Sequence, residues 1–283
     1  MIHNKKIYII GGPTASGKSE LALMLAHQKN GIIVNADSMQ IYADLTVLSA
    51  RPDSTQMQGI PHFLYGYLDA WSHGNVMDWL HKAVSVLQEN PVCIVVGGTG
   101  MYLDALINGI NEIPDVDPNI RNIVRQMPIK DVKAQVKECL ATDDQRLRRA
   151  LEVQLTTGKT LSFFQKQPRK KFINADFDIT LIMPPREILY ERCNSRFLKM
   201  LEQGAQEEVQ KLIRLNSTGG VLKAIGVHEI ISYFENKITY DQMIAMAQQA
   251  TRQYAKRQTT WFRHHLNNAR VLQSTTQMSE YSL

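Results

Sequence analysis

The chain has 283 residues, of which 44% are hydrophobic and 21% charged, with 32 Lys+Arg against 27 Asp+Glu for a net charge of +5. This is the balance of an ordinary soluble globular protein, long enough to bury a sizeable core in one large domain or two smaller ones. An opening apolar run of four residues is too short for a signal segment and no 18-residue apolar stretch occurs, while Cys93, Cys139 and Cys193 form no C-x-x-C pair; no membrane span, disulfide framework or zinc site is indicated, and a cytoplasmic protein with buried or half-buried thiols is expected.

Residues 7–10 read as a short buried strand, and residues 20–28, with Leu21, Met24 and Leu25 on one face, as a helix. Between them, Gly12-Pro13-Thr14-Ala15-Ser16-Gly17-Lys18-Ser19 has the spacing G-x-x-x-x-G-K-[ST] of a phosphate loop. Its glycines let backbone N–H groups turn inward around an anion, Lys18 would neutralise phosphate charge, and the Ser19 hydroxyl would ligate Mg²⁺. A strand end feeding a helix N-terminus suits an anion. Phosphate binding is expected from this, over a glycine-rich turn with no ligand, but no reaction follows.

Residues 31–35 read as a second strand, ending in Asn35-Ala36-Asp37-Ser38-Met39-Gln40. Ligands of open α/β sheets bind outside the carboxyl ends of the strands, which brings Asp37 near the phosphate loop. There it could ligate metal through water or accept a proton from a nucleophile; a lone Asp after a strand also serves as helix cap or turn former. Pro52, Gly59, Pro61 and Gly66 mark loops around a short strand or two, and residues 76–88 space Val76, Leu80, Val84 and Leu87 as a helix does. A third strand, residues 92–96, ends in Gly97-Gly98-Thr99-Gly100 without the acid that an ordinary P-loop NTPase places there. Two readings of these glycines stand: close backbone approach to a diphosphate or nucleotide edge, or a turn that packs a helix against the sheet.

After Gly109 the pattern changes. Residues 121–171 carry 13 Lys+Arg against 5 Asp+Glu, whereas residues 1–120 carry 6 against 11 and residues 172–283 carry 13 against 11. Such clustering points to a polyanionic partner larger than a nucleotide, or to a solvated helical face. Within it, Asp144 is a candidate cap for a helix placing Arg146 and Arg149 on one face and Leu147 and Leu151 on the other. Residues 179–183 resemble a returning core strand, residues 186–214 a long helical stretch, and the last dozen residues a loose tail. In residues 251–263, Arg252, Lys256 and Arg263 at helical spacing interleave with Tyr254, Trp261 and Phe262, for base stacking or for core packing beneath a charged face.

Taken in order and spacing, GPTASGKS, NADSMQIY, VGGTGMYLDAL, DDQRLRRALEV and TRQYAKRQTTWFR resemble the tRNA dimethylallyltransferases, or tRNA isopentenyltransferases, over residues 7–265. That resemblance implies transfer of a dimethylallyl group from dimethylallyl diphosphate to N6 of adenosine 37 in tRNA, with Mg²⁺ as cofactor, a nucleotide- or ATP-binding type of loop, and a monomeric cytoplasmic enzyme of bacterial type. It implies that Asp37 is the base, that Thr99 and Arg121 help hold the diphosphate and target nucleotide, and that Arg196 is a further diphosphate contact beside residues 12–19. It also implies tRNA contacts by Asp37, Ser38, Met39 and Gln40 and by Gln145, Arg146, Leu147, Arg148 and Arg149. The chain departs from the family at Leu48-Ser49-Ala50-Arg51-Pro52, at His62-Phe63 and at Gly226-Val227-His228-Glu229, which leaves RNA contacts by Val227 and His228 open.

The expected fold is α/β, a P-loop NTPase-like parallel sheet core of residues 1–112 and 176–283 carrying a helical insertion, residues 113–175, that binds the tRNA anticodon arm. A small-molecule P-loop kinase shares the loop, the Asp and the insertion, but not the basic charge or the missing acid; a non-catalytic RNA-binding protein would leave Lys18 and Asp37 without purpose.

Overall fold

The computed structural model describes residues 5–137 and 143–274. Cys139 and most of the expected tail, residues 275–283, lie outside them. Along the chain, β1 (Lys5–Gly11), α1 (Lys18–Lys29), β2 (Ile32–Asn35), β3 (His62–Phe63), α2 (Val76–Glu89), β4 (Cys93–Gly97) and α3 (Gly100–Asn108) come first. Four helices follow: α4 (Pro118–Gln126), α5 (Ile129–Gln135), α6 (Asp144–Thr157) and α7 (Leu161–Gln165). The chain then forms β5 (Ala175–Ile182), α8 (Arg186–Glu202), α9 (Ala205–Arg214), a 3-10 turn at Gly220–Lys223, α10 (Val227–Phe234), α11 (Tyr240–His265) and β6 (Arg270–Leu272).

All six strands are parallel, in the order β3-β2-β4-β1-β5-β6. Parallel sheets are covered on both faces and need apolar residues without alternation. Accordingly every residue of β4 is buried, and Ile7, Ile9 and Ile10 of β1 are almost wholly so. From β1 the chain goes outward to β2, returns through β4, and crosses to β5 on the other side. The carboxyl end of β1 is therefore a topological switch point, where open α/β sheets bind ligands.

Three expectations are corrected. The stretch 186–214 is two helices, because Gly204 at φ 95 ends α8 and starts α9 in a left-handed conformation that suits glycine. The sheet runs on to Leu272, one residue into the expected tail, because β6 pairs with β5 from Arg270 to Leu272. The cap of α6 is Asp143, whose carboxylate accepts from the Arg146 N–H at 2.9 Å, not Asp144.

The chain divides into two compact units, residues 108–171 and the remainder. In residues 108–171, Val124, Val132, Leu147 and Leu151 form a small core with Ile120, Met127, Ile129 and Val136 around it. Pro118 at the first position of α4 and the Asp117 carboxylate on the Asn119 N–H start that helix. The unit is closed by reciprocal backbone bonds between Ile110 and Lys170, at 3.1 and 3.0 Å, just after Gly109 turns at φ 81. The unit therefore starts five residues before the expected bound of 113 and ends four before that of 175.

In the larger unit, β4 ends against β2 with no room for a side chain: a Cβ on Gly97 would lie 2.1 Å from the Ala36 carbonyl oxygen. A backbone obstacle cannot rotate away, so Gly97→Ala is expected to cost roughly 3 kcal/mol or more. Gly59→Ala meets nothing within 4 Å and has only its positive φ to oppose it, for about 1 kcal/mol. Urea denaturation of both variants checks the difference.

Candidate active site

The loop between β1 and α1 is held from behind by α11. The Gln258 side chain, 6% exposed, accepts the Thr14 N–H at 2.8 Å and donates to the Gly98 carbonyl at 2.8 Å. The loop itself turns through left-handed residues, Ala15 at φ 62 and Gly17 at φ 97. Arg196 of α8 donates to the Thr14 hydroxyl at 3.2 Å, and Arg192 reaches the Ser16 carbonyl at 3.5 Å. Lys18 donates to the Pro13 carbonyl at 3.3 Å. Burial pulls the Lys18 ammonium down to about 8, against the attraction of Asp37 and with the repulsion of Arg196. Burial also lowers Arg196, again opposed by Asp37. Two desolvated cations side by side call for an anion.

Asp37 is placed by the buried Asn35. Asn35 accepts the Asp37 N–H at 2.8 Å and donates to the carbonyls of Asp37 and Leu64, both at 3.0 Å. Its own carbonyl takes the indole N–H of Trp79 at 2.7 Å. One Asp37 carboxylate oxygen accepts the Met39 N–H at 2.9 Å, so Asp37 closes a turn rather than capping a helix. Thr99 stands behind this segment: its hydroxyl accepts the Ser38 N–H at 2.9 Å and lies 3.2 Å from the Ser38 hydroxyl. Tyr254 hydrogen-bonds Thr99, and burial raises its phenol above the usual range.

Lys18, Arg196, Asp37 and Tyr254 meet in one cavity of about 810 Å³. Thr14, Lys18, Ser19, Arg196 and the segment 37–40 give it polar walls, while Leu23, Met24, Ile33, Val96, Phe197 and Met200 are among its apolar ones. The structure thus brings Thr14, Lys18, Ser19, Arg196, Asp37, Ser38, Met39 and Gln40 together. Gly12, Pro13, Ala15, Ser16 and Gly17 shape the loop, whereas Thr99 supports the wall without lining it. Ser19 and Asp37 offer oxygen donors, and no group of three His, Cys, Asp or Glu able to hold a metal exists among the described residues. This donor set fits a largely hydrated Mg²⁺ shared with a bound phosphate, not an all-protein cage.

Of the two readings of residues 97–100, close packing is what the structure shows. A Cβ on Gly98 would strike the Gln258 amide at 2.4 Å, and one on Gly100 the Trp261 ring at 2.3 Å. In residues 251–263, Ala255, Gln258 and Phe262 are buried, and Tyr254 and Arg257 line the cavity. Sequence reasoning does not single out Gln258, because it is one of five glutamines in α11 and nothing in its type sets it apart; its spacing of four from Tyr254 is the only hint. Arg51 folds back on the Tyr42 and Ala43 carbonyls at 2.8 and 3.2 Å, Val227 is core, and His228 is exposed.

The remaining expected residues belong to the unit 108–171. Arg121 stands on α4, partly buried. On α6, Gln145 and Arg146 are exposed, and Arg146 pairs with Asp143 at 3.4 Å. Leu147 is 4% exposed and belongs to the small core, which removes it from any surface contact. Arg148 donates to the Val124 carbonyl and, at 2.8 Å, to that of Met127, satisfying the end of α4. Arg149 pairs loosely with Glu152 at 3.7 Å.

A family model described as IPP transferase matches residues 40–265. The chain is 42% identical over 273 residues to a tRNA dimethylallyltransferase of Sphingopyxis alaskensis, covering 90% of this chain and 89% of that protein. It is 40% identical over 280 residues to a tRNA dimethylallyltransferase of Rhizobium etli, covering 92% and 94%. Among solved structures it is similar to the full-length tRNA isopentenylpyrophosphate transferase from Bacillus halodurans, with a TM-score of 0.71, 28% identity and coverage of 95% and 89%. It is likewise similar to a eukaryotic dimethylallyltransferase acting on tRNA, with a TM-score of 0.81, 25% identity and coverage of 98% and 76%.

Lys18 gives a test by linkage. Between about pH 8 and 10.5 the unfolded chain binds the Lys18 proton and the folded one does not, so the burial cost is full below pH 8 and fades as pH rises. Lys18→Met should therefore raise the thermal midpoint at pH 7 by roughly 2–4 °C, lose that gain near pH 10, and abolish inorganic diphosphate binding by calorimetry. Arg148→Ala should instead destabilise the unit 108–171 by about 1–3 kcal/mol through the carbonyls it strands, seen as faster limited proteolysis within it.

Proposed function

The chain belongs to the IPP transferase family and transfers a dimethylallyl group to tRNA, and on that premise we propose that the donor is dimethylallyl diphosphate and the acceptor N6 of adenosine 37. One observation carries this reading: the desolvated Lys18 and Arg196 share a cavity with the Asp37 carboxylate and an apolar wall. That set matches an anionic leaving group, a proton acceptor and a five-carbon chain.

In the step proposed, the C1–O bond of the allyl diphosphate breaks, its electron pair leaves with diphosphate, and C1 bonds to N6. Lys18 and Arg196 stabilise the charge growing on the departing oxygen, more strongly than they would in water because the cavity walls exclude it. The exocyclic amine is a weak nucleophile until it loses a proton, and Asp37, with one oxygen tied to the Met39 N–H, offers the other as acceptor. Mg²⁺, held by Ser19 with Asp37 nearby, would supply further charge neutralisation at the diphosphate. Because adenine must present its amine inside the cavity, the nucleotide is unstacked from the anticodon loop. The basic unit 108–171 supplies attraction for the RNA backbone, with Arg146 and Arg149 rather than Leu147 or Arg148 as the side chains able to reach it.

The decisive experiment is mass spectrometry of tRNA nucleosides after incubation with dimethylallyl diphosphate and Mg²⁺. A dimethylallyl adenosine is expected; no such product, together with phosphorylation of a metabolite by ATP, would make the protein a kinase. Asp37→Ala should retain tRNA binding and lose turnover by about 10²–10⁴-fold, and unchanged turnover would remove its role as base. Because Lys18 titrates near 8 in the free protein, kcat/KM for the donor should fall as pH rises above about 8. The limb in kcat should lie higher, since bound diphosphate favours the protonated lysine.

A further inference from the structure

A carboxylate outside the cavity gathers one of its walls. Glu208 of α9 accepts the Thr46 N–H at 2.5 Å, the Thr46 hydroxyl at 2.8 Å and the Val47 N–H at 2.8 Å on one oxygen, and the Leu48 N–H at 2.9 Å on the other. Charge-assisted bonds to consecutive N–H groups fix a turn more tightly than neutral ones. The residues that follow face the cavity: Leu48, Ser49 and Ala50 are part of its lining. Ala50 stands at φ 47, a left-handed conformation that alanine holds only where its surroundings over-determine it. From this turn the connection returns to the site, since the Gln40 side chain donates to the Ser49 carbonyl at 3.1 Å and to the Ala50 carbonyl at 2.9 Å. Lys211, one helical turn on from Glu208, pairs with Asp44 at 2.8 Å and anchors the same segment.

We propose that Glu208 is a positioning residue for the acceptor side of the cavity, acting through the turn 46–50 to set Gln40 and the segment 37–40 that meets the target nucleotide. The diphosphate end of the donor side is held by other contacts. Thr14 is held by Gln258 and Arg196, and neither of these bonds involves the turn. Loss of Glu208 therefore weakens acceptor recognition while sparing donor binding, a split that general destabilisation would not produce. This rests on the tRNA prenyltransferase reading above.

The test uses the full chain with Glu208→Ala and Glu208→Gln, an anticodon stem-loop RNA, and dimethylallyl diphosphate. Steady-state KM for each substrate, kcat and the thermal midpoint are measured. Glu208→Ala should raise KM for the RNA by about 10-fold or more and leave KM for the donor within about 2-fold. Glu208→Gln keeps an oxygen for Thr46 and Val47 but puts an amide against the Leu48 N–H, and should fall between, at about 3-fold. An unchanged RNA KM, or RNA and donor KM rising together, overturns the proposal. If the alanine variant does not fold, the glutamine variant decides by the same criteria. Failure of the wild-type protein to prenylate any RNA would sink the functional reading instead.

Discussion

One buried carboxamide, that of Gln258, joins the phosphate loop to the end of β4, and the polar end of the cavity depends on it. Its oxygen takes the Thr14 N–H and its nitrogen gives to the Gly98 carbonyl. A carboxylate could not make the second bond, an ammonium could not make the first, and a buried unpaired partner costs about 1–3 kcal/mol. The demand propagates to sequence. Position 98 has no space for a Cβ because the amide occupies it, and position 100 has none because Trp261, three residues farther along α11, lies there. A helix near the C-terminal end of the described chain thereby sets the shape of a loop near its beginning, and the Thr14 N–H, spent on Gln258, is removed from the set that can face an anion.

Much of this was legible in the sequence, for reasons that particular elements make clear. Strands β1, β2 and β4 are short apolar runs bounded by glycine or asparagine, and a sheet buried on both faces leaves that pattern. The phosphate loop is legible because its spacing is dictated by backbone geometry, and Asp37 because the switch point places the ends of neighbouring strands together. What escaped was decided by contacts that no spacing encodes. β6 is three residues long, and its middle residue, Val271, is 56% exposed, so it shows neither a run nor an alternation. The break at Gly204 lies in a stretch whose helical periodicity continues on both sides. Glycines 97, 98 and 100 have one appearance in sequence whether they make room for a ligand or for Ala36, Gln258 and Trp261.

Counting charge had the same limit. The excess of Lys and Arg in residues 121–171 is real, yet its members do unlike things. Arg148 turns inward to carbonyls at the end of α4, Arg146 and Arg149 lie beside acidic neighbours at 3.4 and 3.7 Å, and Leu147, quoted in the same motif, is core. A motif of consecutive residues on a helix samples every face within one turn, so it names a helix more readily than a surface.

The closure of the unit 108–171 carries an implication of its own. Ile110 and Lys170 exchange both backbone hydrogen bonds, so the two ends of the excursion already meet as a rung of antiparallel ladder. In topological terms the unit is a cassette whose entry and exit are adjacent, with its own hydrophobic centre in Val124, Val132, Leu147 and Leu151. Such an arrangement lets a sheet acquire, lengthen or exchange a helical module without changing the strand order on which the phosphate loop stands. The path of the main chain through β5 is then indifferent to how many residues were spent between the two halves of that rung.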